Sequence, residues 1–203
     1  MPVTQAARTD ATRQKLLAAA FAEVYRHGFQ AASLSAVVGA AGSTKGALFH
    51  HFSGKQALGH ALVDEVIGPL LLARWLAPLA DADDPIGALQ ASFRRYIGED
   101  VASGHWVQGC PMNNLAQEMS PLDEGFRTRL DALYATWRAT VADALARGQR
   151  VGTVRGGADV RAAATLVVLA QQGIWGTGKY SQDAALMSQA GEALCAYLDT
   201  LRG

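Results

Sequence analysis

The sequence contains few of the residues that build disulfide frameworks or metal sites, and it lacks long apolar runs. Its 203 residues include two cysteines, Cys110 and Cys195, whose separation fits neither a zinc-ligand spacing nor a disulfide framework. No apolar run approaches the roughly 18 residues that cross a membrane, and residues 1–15 lack the apolar core of a signal peptide. These absences predict a soluble, cytoplasmic protein that needs no metal and no membrane partner.

Runs of β-branched residues, which favour strands, are also scarce. Half of the residues are hydrophobic, and alanine and leucine dominate among them. Both residue types have high helix propensity, so the composition predicts an all-α protein. A chain of this length can form one large domain or two small ones, and it can bury a substantial core.

The sequence carries no net charge, with 18 Lys and Arg residues against 18 Asp and Glu residues. The charges are nevertheless unevenly distributed. Residues 1–60 contain six basic and two acidic residues, hence +4, whereas the remainder contains twelve and sixteen, hence −4. A basic N-terminal segment joined to an acidic remainder is typical of a DNA-binding regulator, and chance variation of surface charge is the plain alternative.

Residues 33–55, SLSAVVGAAGSTKGALFHHFSGK, have the pattern of two short helices joined by a tight, glycine-containing turn. Ser33 can cap the first helix, and Ser43 or Thr44 can cap the second. Two apolar residues four apart in the second helix can pack it against its domain. This is the helix-turn-helix pattern, in which the second helix enters the major groove of DNA.

The second of these helices carries residue types suited to contact DNA. Thr44 and Lys45 can reach base edges, and Gly46 would permit close approach to the backbone. The histidines at positions 50 and 51, with Lys55, are better placed for phosphates, which position a protein without selecting the sequence. Adjacent histidines point about 100° apart on a helix, so a metal site is not expected there. The candidate DNA-contacting residues are Ser33 (equally well explained as only a cap), Ser43, Thr44, Lys45, Gly46, Phe49, His50, His51 and Lys55.

Residues 1–60 resemble the N-terminal domain of the tetracycline-repressor (TetR) family of bacterial one-component regulators. Two positions depart from the family pattern, because Phe49 stands where the family usually has tyrosine and Ser43 replaces an apolar residue. The first change removes a hydroxyl contact to phosphate, and the second can shift the start of the recognition helix. The matching positions are Gly28-Phe29, Ser33-Leu34, Ala41-Gly42, Thr44-Lys45-Gly46, Leu48-Phe49-His50-His51-Phe52 and Lys55.

The resemblance implies about nine helices, with a three-helix DNA-binding domain in residues 1–54 and an effector-binding and dimerisation domain in residues 55–203. It also implies that the last two helices pair with their copies in a homodimer, which would match a palindromic operator. A conventional buried core helix is the alternative for the apolar penultimate helix. Residues 1–10 are predicted to be a disordered arm, and hydrophobic periodicity predicts helices at 10–27, 55–79, 85 onward, 112–119, 122–150, 158–175 and 183–201.

A small-molecule effector site in the second domain is implied by the resemblance more than by the residues. Residues 108–120, QGCPMNNLAQEMS, resemble a segment of a TetR branch that includes sensors of reactive electrophiles, and Cys110 matches its cysteine. The start of a helix at this point would lower the pKa of the Cys110 thiol, whereas the alternative is a buried apolar residue. Asn113 either binds effector or caps the helix. The other candidates, for each of which an ordinary core position is the alternative, are Trp75, Phe93, Tyr96, Trp106, Met112, Trp137 and Trp175.

Three classes of function follow from these patterns. The leading hypothesis is a homodimeric transcriptional repressor released from double-stranded DNA by a small molecule, with a redox or electrophile sensor acting through Cys110 as the alternative. An enzyme is disfavoured because the sequence has no glycine-rich phosphate loop, metal-ligand cluster or catalytic-triad pattern, and no cofactor is expected. A helical module that binds no DNA would leave Lys45, His51 and Lys55 unexplained.

Overall fold

The computed structural model describes residues 5–203, with side-chain surroundings from Thr9 onward. Nine helices, a 3-10 turn at His105–Gln108 and one isolated β-bridge between Val154 and Arg202 make up the regular structure of these residues, so the all-α class and the helix count are confirmed. Apart from α4, the helices are α1 (Gln5–His27), α2 (Leu34–Ala40), α3 (Lys45–His51), α5 (Pro85–Ser103), α6 (Pro111–Met119), α7 (Glu124–Val151), α8 (Val160–Ser181) and α9 (Ala184–Asp199).

Helix α4, residues 55–79, changes its hydrogen-bonding pattern along its length. The irregular part surrounds Pro69, which has no N–H to donate and therefore interrupts the regular α-helical ladder. Wider turns let a helix continue past such an interruption. Its successive parts are an α-helix at Lys55–Leu62, a π turn at Val63–Ile67, an α turn at Gly68–Leu71, a π turn at Leu72–Leu76 and a 3-10 turn at Ala77–Leu79.

Residue contacts divide the chain into two units. The first comprises the described residues up to Pro69 together with Asn114–Leu130, and the second comprises Leu70–Asn113 together with Asp131–Gly203. In the first unit, α1 packs against α2, α3 and α4, as expected for a helix that supports a helix-turn-helix. The core that holds these helices consists of Leu16, Leu17, Ala20, Val37, Leu48, Phe52, Leu58, Ala61 and Leu62.

The second unit is built around α5, α8 and α9. Helix α9 packs against both α5 and α8. Gly191 of α9 permits the close approach to α5, because a Cβ there would lie 2.3 Å from Cδ1 of Ile97. The Gln90 side chain of α5 donates a hydrogen bond to the Cys195 carbonyl at 2.9 Å, which links α5 to α9 within the buried core.

Capping chemistry explains where several helices begin. The hydroxyls of Ser33 and Thr44 accept hydrogen bonds from backbone amides three residues later, at 3.3 and 3.1 Å, as the motif predicts. Helix α7 begins at Glu124, later than predicted, because the Asp123 carboxylate accepts a hydrogen bond from the Phe126 amide at 2.9 Å and so caps this point.

Two helices are longer than the sequence predicted. Helix α1 begins at Gln5, so residues 5–10 are helical and the predicted disordered arm is wrong over that range. Alanines at positions 6 and 7 and the absence of proline there favour this extension. Helix α8 continues past residue 175 to Ser181 and ends where Gln182 adopts a left-handed conformation with φ of 53°.

Within the described part of the chain, the helices are too short or too polar to cross a membrane.

Candidate DNA-binding surface and effector core

Helix α3 presents one face to the core and the other to solvent. Leu48 and, at the helix end, Phe52 are buried in the first unit. On the opposite side Lys45, Phe49 and His50 are exposed, and Phe49 has 54% of its surface accessible. Single exposed apolar side chains are normal on protein surfaces, so the exposure of Phe49 alone does not distinguish this face from the rest of the surface.

The predicted DNA-contacting residues lie in or close to this α2–α3 pair. Most of them are exposed: Ser33, Thr44, Lys45, Gly46, Phe49 and His50. The other three are half-buried: Ser43, His51 and Lys55.

Gly46 is not required by the packing of α3. A Cβ added there would meet nothing nearer than the Thr44 hydroxyl, at 3.9 Å. Its backbone is ordinary helix, where alanine would be more favourable than glycine. The glycine therefore costs some helix stability and leaves the outer surface of α3 open to close approach by another molecule.

His51 and Lys55 are both engaged by the first unit itself. Arg13 donates a hydrogen bond to the His51 carbonyl at 3.2 Å, and its guanidinium lies 4.4 Å from the centre of the Phe52 ring. Partial burial lowers the pKa of His51, and the charges of His50 and Arg13 lower it further. The Lys55 ammonium donates to the Gln30 carbonyl at 2.8 Å. These contacts hold the end of α3 and the start of α4 in position.

A carboxylate that sequence reasoning missed also lies in the first unit. The two oxygens of Glu118 accept hydrogen bonds from the amides of Phe29 and Gln30, each at 2.8 Å. Gly28, just before them, has φ of +84°, the left-handed conformation expected of the glycine that ends α1. No local signal in the sequence pairs Glu118 with this turn, because 89 residues separate it from Phe29.

Five of the predicted effector residues form one aromatic cluster in the second unit. The Trp75 ring is its centre, with ring-centre distances of 4.9 Å to Phe93, 5.3 Å to Tyr96, 5.4 Å to Trp137 and 5.5 Å to Trp175. All five residues are buried. The residues could not be grouped from sequence, because they come from α4, α5, α7 and α8.

An ion pair that the sequence did not reveal lies at the edge of this aromatic cluster. The Arg74 guanidinium donates to Asp100 at 2.7 Å and lies 4.3 Å from the centre of the Tyr96 ring. The same Asp100 oxygen accepts a hydrogen bond from the Trp175 indole at 2.6 Å. Asp100 thus binds both a cation and an indole N–H beside the aromatic cluster.

Cys110 is buried, and the expectation of a lowered thiol pKa is wrong. Burial raises its pKa and outweighs the bonds from the amides of Asn113 and Met112 and from the Gln171 side chain, which lower it. The predicted amide contacts at the start of α6 are therefore present, but the loss of solvent dominates. The protonated thiol is favoured in this arrangement.

Four polar side-chain atoms in the second unit are buried without a hydrogen-bond partner among residues 5–203. They are Arg74 Nε, Asn113 Oδ1, Tyr134 Oη and Gln171 Oε1. Asn113 adjoins Cys110 through its amide, Gln171 through its side chain, and Arg74 and Tyr134 interact with it electrostatically. Unpaired buried polar atoms are costly and mark sites where a ligand or water is expected. We refer to these four residues with Cys110 as the polar cluster.

Two further effector candidates, Met112 and Trp106, lie outside the aromatic cluster. Met112 is buried at the start of α6. Trp106 is half-buried in a 3-10 turn, His105–Gln108. Its ring is close to Gly178, where an added Cβ would lie 3.3 Å from Trp106 Cε3. Within the described residues, no group of three His, Cys, Asp or Glu side chains could hold a metal ion.

The outer side of α8 exposes large apolar residues alongside small ones. Leu169 is 57% exposed and Tyr180 is 77% exposed, while Ala163, Val167 and Val168 on the other side are buried. On helix α9, Leu186 is also an exposed large apolar residue. The sequence predicted that more than one side of α8 is buried. In the single chain, only the side that carries Ala163, Val167 and Val168 is buried.

Comparisons with known proteins agree on one family. The family model "Bacterial regulatory proteins, tetR family" matches residues 16–62, and "Tetracyclin repressor-like, C-terminal domain" matches residues 85–194. Among curated relatives, the transcriptional repressor DhaR of Mycobacterium sp. (strain GP1) is 28% identical over 145 residues, which are 70% of each chain. The regulator AcuR of Cereibacter sphaeroides is 27% identical over 146 residues, 68% of this chain and 63% of AcuR.

Solved structures give the same fold. A TetR-family regulator from Cytophaga hutchinsonii has a TM-score of 0.86 and 18% identity, covering 100% of this chain and 98% of its own. The reduced form of NemR from E. coli has a TM-score of 0.80 and 21% identity, covering 95% and 97%. With both domains matched by family models, this chain is a member of the TetR family of bacterial transcriptional regulators.

Proposed function

We propose that this chain is a homodimeric repressor that leaves a palindromic operator when a small molecule binds its second domain. In this proposal residues 1–54 bind DNA, residues 55–203 bind effector and dimerise, and the protein acts in the cytoplasm. The observation that carries the proposal is the exposed face of α3, where Gly46 leaves the surface open although packing does not require a glycine.

DNA reading is assigned to α3. Thr44 and Lys45 stand at the exposed start of the helix, the end that approaches base edges when a recognition helix lies in the major groove. Lysine suits the acceptors of guanine. His50, His51 and Lys55 are assigned to phosphates, although Lys55 already donates to the Gln30 carbonyl and would share its three N–H groups.

Dimerisation is assigned to the outer sides of α8 and α9. Leu169, Tyr180 and Leu186 are exposed there, and burying them against a second copy would remove large apolar side chains from water. A two-fold symmetric dimer presents two α3 helices, one to each half-site. The proposed dimer and the proposed palindromic operator therefore have the same symmetry.

The effector is assigned to the aromatic cluster and the polar cluster. The polar cluster offers N–H and O–H donors from Arg74 and Tyr134 and carbonyl acceptors from Asn113 and Gln171. A ligand that satisfies them needs both an oxygen acceptor and an N–H or O–H donor, with a flat or apolar portion to contact the rings. We therefore expect a small polar organic compound.

DNA binding tests the proposal directly. Fluorescence anisotropy with duplexes tiled across the DNA flanking the gene should find one palindromic duplex bound far more tightly than random DNA. Its affinity should fall as salt rises, because phosphate contacts release counterions. Equal binding of every duplex, or none, would contradict the proposal.

A redox or electrophile response through Cys110 is the second candidate. The sequence of residues 108–120 and the amide contacts to its sulfur support it, while burial and the raised pKa of Cys110 mean that the site must open before the thiol reacts. Alkylation with iodoacetamide should release the operator from wild type and from a Cys195→Ser control, but not from Cys110→Ser. Equal release of all three would exclude a role for Cys110.

A further inference from the structure

The turn between α1 and α2 is held from a distant part of the chain. Glu118 places one carboxylate oxygen on the Phe29 amide and the other on the Gln30 amide, both at 2.8 Å. Consecutive amides that follow a left-handed residue form a concave anion site, and here Gly28 has φ of +84°. The turn is thus shaped to receive a carboxylate, and two charge-assisted hydrogen bonds hold it.

Gln30 is also held through its carbonyl group. Lys55, at the start of α4, donates to the Gln30 carbonyl at 2.8 Å, so side chains occupy both backbone polar groups of Gln30. The Phe29 ring lies 5.3 Å from the Lys55 ammonium and 4.8 Å from the Phe126 ring centre. Gly59 makes room for this packing, because a Cβ there would lie 2.4 Å from both aromatic rings.

Other contacts fix the segment that carries Glu118. Asp123 accepts from the His60 ring at 3.0 Å, and the Phe126 ring lies 4.8 Å from that ring. Arg129 pairs with Asp64 at 2.9 Å. Residues 114–130 therefore belong to the first unit by specific contacts with α4, although they lie far along the chain from the helix-turn-helix.

We propose that Glu118 is a positioning residue for DNA recognition. Its carboxylate fixes the turn that connects α1 to α2 and α3. We refer to the two hydrogen bonds from the Phe29 and Gln30 amides to Glu118 as the clamp, and operator affinity depends on it. Helix α6 carries Glu118 and also the effector candidates Met112 and Asn113, so a ligand that shifts α6 would act on the clamp. This inference rests on the proposed function. The Glu118 carboxylate is the group through which effector binding would alter the turn between α1 and α2.

Glu118→Gln tests the clamp, with Glu124→Gln as the matched control. Glutamine keeps one oxygen acceptor but turns N–H groups toward a backbone amide, so one hydrogen bond is lost. Glu124 lies in the same segment, its side chain is 82% exposed, and it pairs with Arg127. Hydrogen exchange at the amides of Phe29 and Gln30 reports the clamp without DNA, and anisotropy reports binding to the operator and to a random duplex.

The expected result has two parts. Glu118→Gln should exchange these two amides about tenfold faster and bind the operator about tenfold more weakly, within the usual range of coupling between sites. Random-duplex affinity should stay within about twofold, since phosphate contacts are unchanged. Glu124→Gln should match wild type in all three measurements. If Glu118→Gln does not fold by circular dichroism, Glu118→Asp keeps the charge while shortening the reach, and the same changes should appear in weaker form.

Two results would overturn the positioning role while leaving the proposed function intact. One is faster exchange with unchanged operator affinity, and the other is unchanged exchange of both amides. If wild type itself prefers no duplex, the proposed function fails, and the positioning role fails with it.

Discussion

At the scale of single residues, two of the positions proposed to be functional carry a residue that opposes stability. Gly46 weakens a short helix although no neighbour would meet a Cβ there. Gln171 is 2% exposed and buries a carbonyl without a partner among residues 5–203. Natural sequences are locally consistent in most places, so departures of this kind point to function.

Gly46→Ala separates stability from DNA binding. The added methyl group has room within the chain, and alanine should raise the free energy of unfolding by up to about 0.5–1 kcal/mol. Operator affinity should fall at least about tenfold if α3 binds DNA as proposed, because the methyl group would occupy the face assigned to DNA. Thermal unfolding and anisotropy check both parts.

Gly98→Ala is the control for Gly46→Ala. Gly98 is an exposed helical glycine of α5 with open space around it, so its replacement should change stability alone. Unchanged operator affinity of Gly46→Ala would show that α3 does not approach DNA at this point.

Gln171→Met should remove an unpartnered carbonyl from the second unit without loss of stability. Methionine has similar length and buries no polar group, and it forfeits only the contact with Cys110. We expect the free energy of unfolding to stay within about 1 kcal/mol of wild type or to rise. Chemical denaturation measures this. A loss above about 2 kcal/mol would show that the amide is satisfied by ordered water and is structural.

At the scale of elements, caps and periodicity predicted the helices, while contacts between distant segments were not predictable. Ser33 and Thr44 cap where the motif placed them, because a cap depends on residues three apart. Five of the aromatic residues proposed for the effector site contact one another, but their grouping around Trp75 required the packing of four helices. Glu118 gave no signal, since its partners are backbone amides, which every residue has. The pKa of Cys110 was predicted in the wrong direction because local amides are visible in sequence and burial is not.

The cap at the start of α5 gives a pH-dependent prediction. Burial raises the pKa of Asp84, but the hydrogen bond from the Gly87 amide and the ion pair with Arg202 outweigh it, so the pKa is lowered overall. A depressed carboxyl pKa contributes stability above the unfolded value of about 3.9, and that stability is lost as pH falls through the lower folded value. Asp84→Asn should therefore be less stable than wild type at pH 7, by up to about 1 kcal/mol for the lost ion pair with Arg202, because asparagine caps a helix about as well as aspartate.

The difference between Asp84→Asn and wild type should shrink as pH falls below about 4, where the unfolded carboxyl begins to bind its proton. Urea denaturation between pH 2.5 and 7 measures the change. Asp83→Asn, an exposed neighbour, is the control and should follow wild type. A constant difference at every pH would show that the charge of Asp84 contributes nothing.

At the scale of the whole molecule, the proposal requires two copies of the chain. In this proposal the exposed apolar residues of α8 and α9 contact the second copy, and each copy contributes one α3 helix to DNA binding. When one α3 helix of a dimer is bound to its half-site, the second α3 helix is held near the other half-site at a high effective concentration. A single copy lacks this advantage. Loss of the dimer should therefore remove specific DNA binding even when α3 is intact.

Leu169→Glu tests this dependence. A charge on the outer side of α8 would be buried without a partner in the dimer, so the variant should be monomeric at micromolar concentration and fold normally. Operator affinity should fall by at least about a hundredfold. Sedimentation velocity and anisotropy check these outcomes. Leu122→Glu, at a leucine that is 62% exposed outside α8 and α9, should remain like wild type. A dimeric Leu169→Glu variant would place the interface elsewhere.

The most direct test of the central claim is a specificity profile of Lys45→Met. Wild type and variant would be titrated against the operator and against duplexes carrying each single base-pair change. If α3 reads bases as part of a symmetric dimer, the variant should lose discrimination at one pair of symmetry-related positions, worth about 1–3 kcal/mol at each. A uniform loss of affinity across all duplexes would mean that Lys45 contacts phosphate only. No change at any position would contradict the assignment of α3 as the DNA-reading helix.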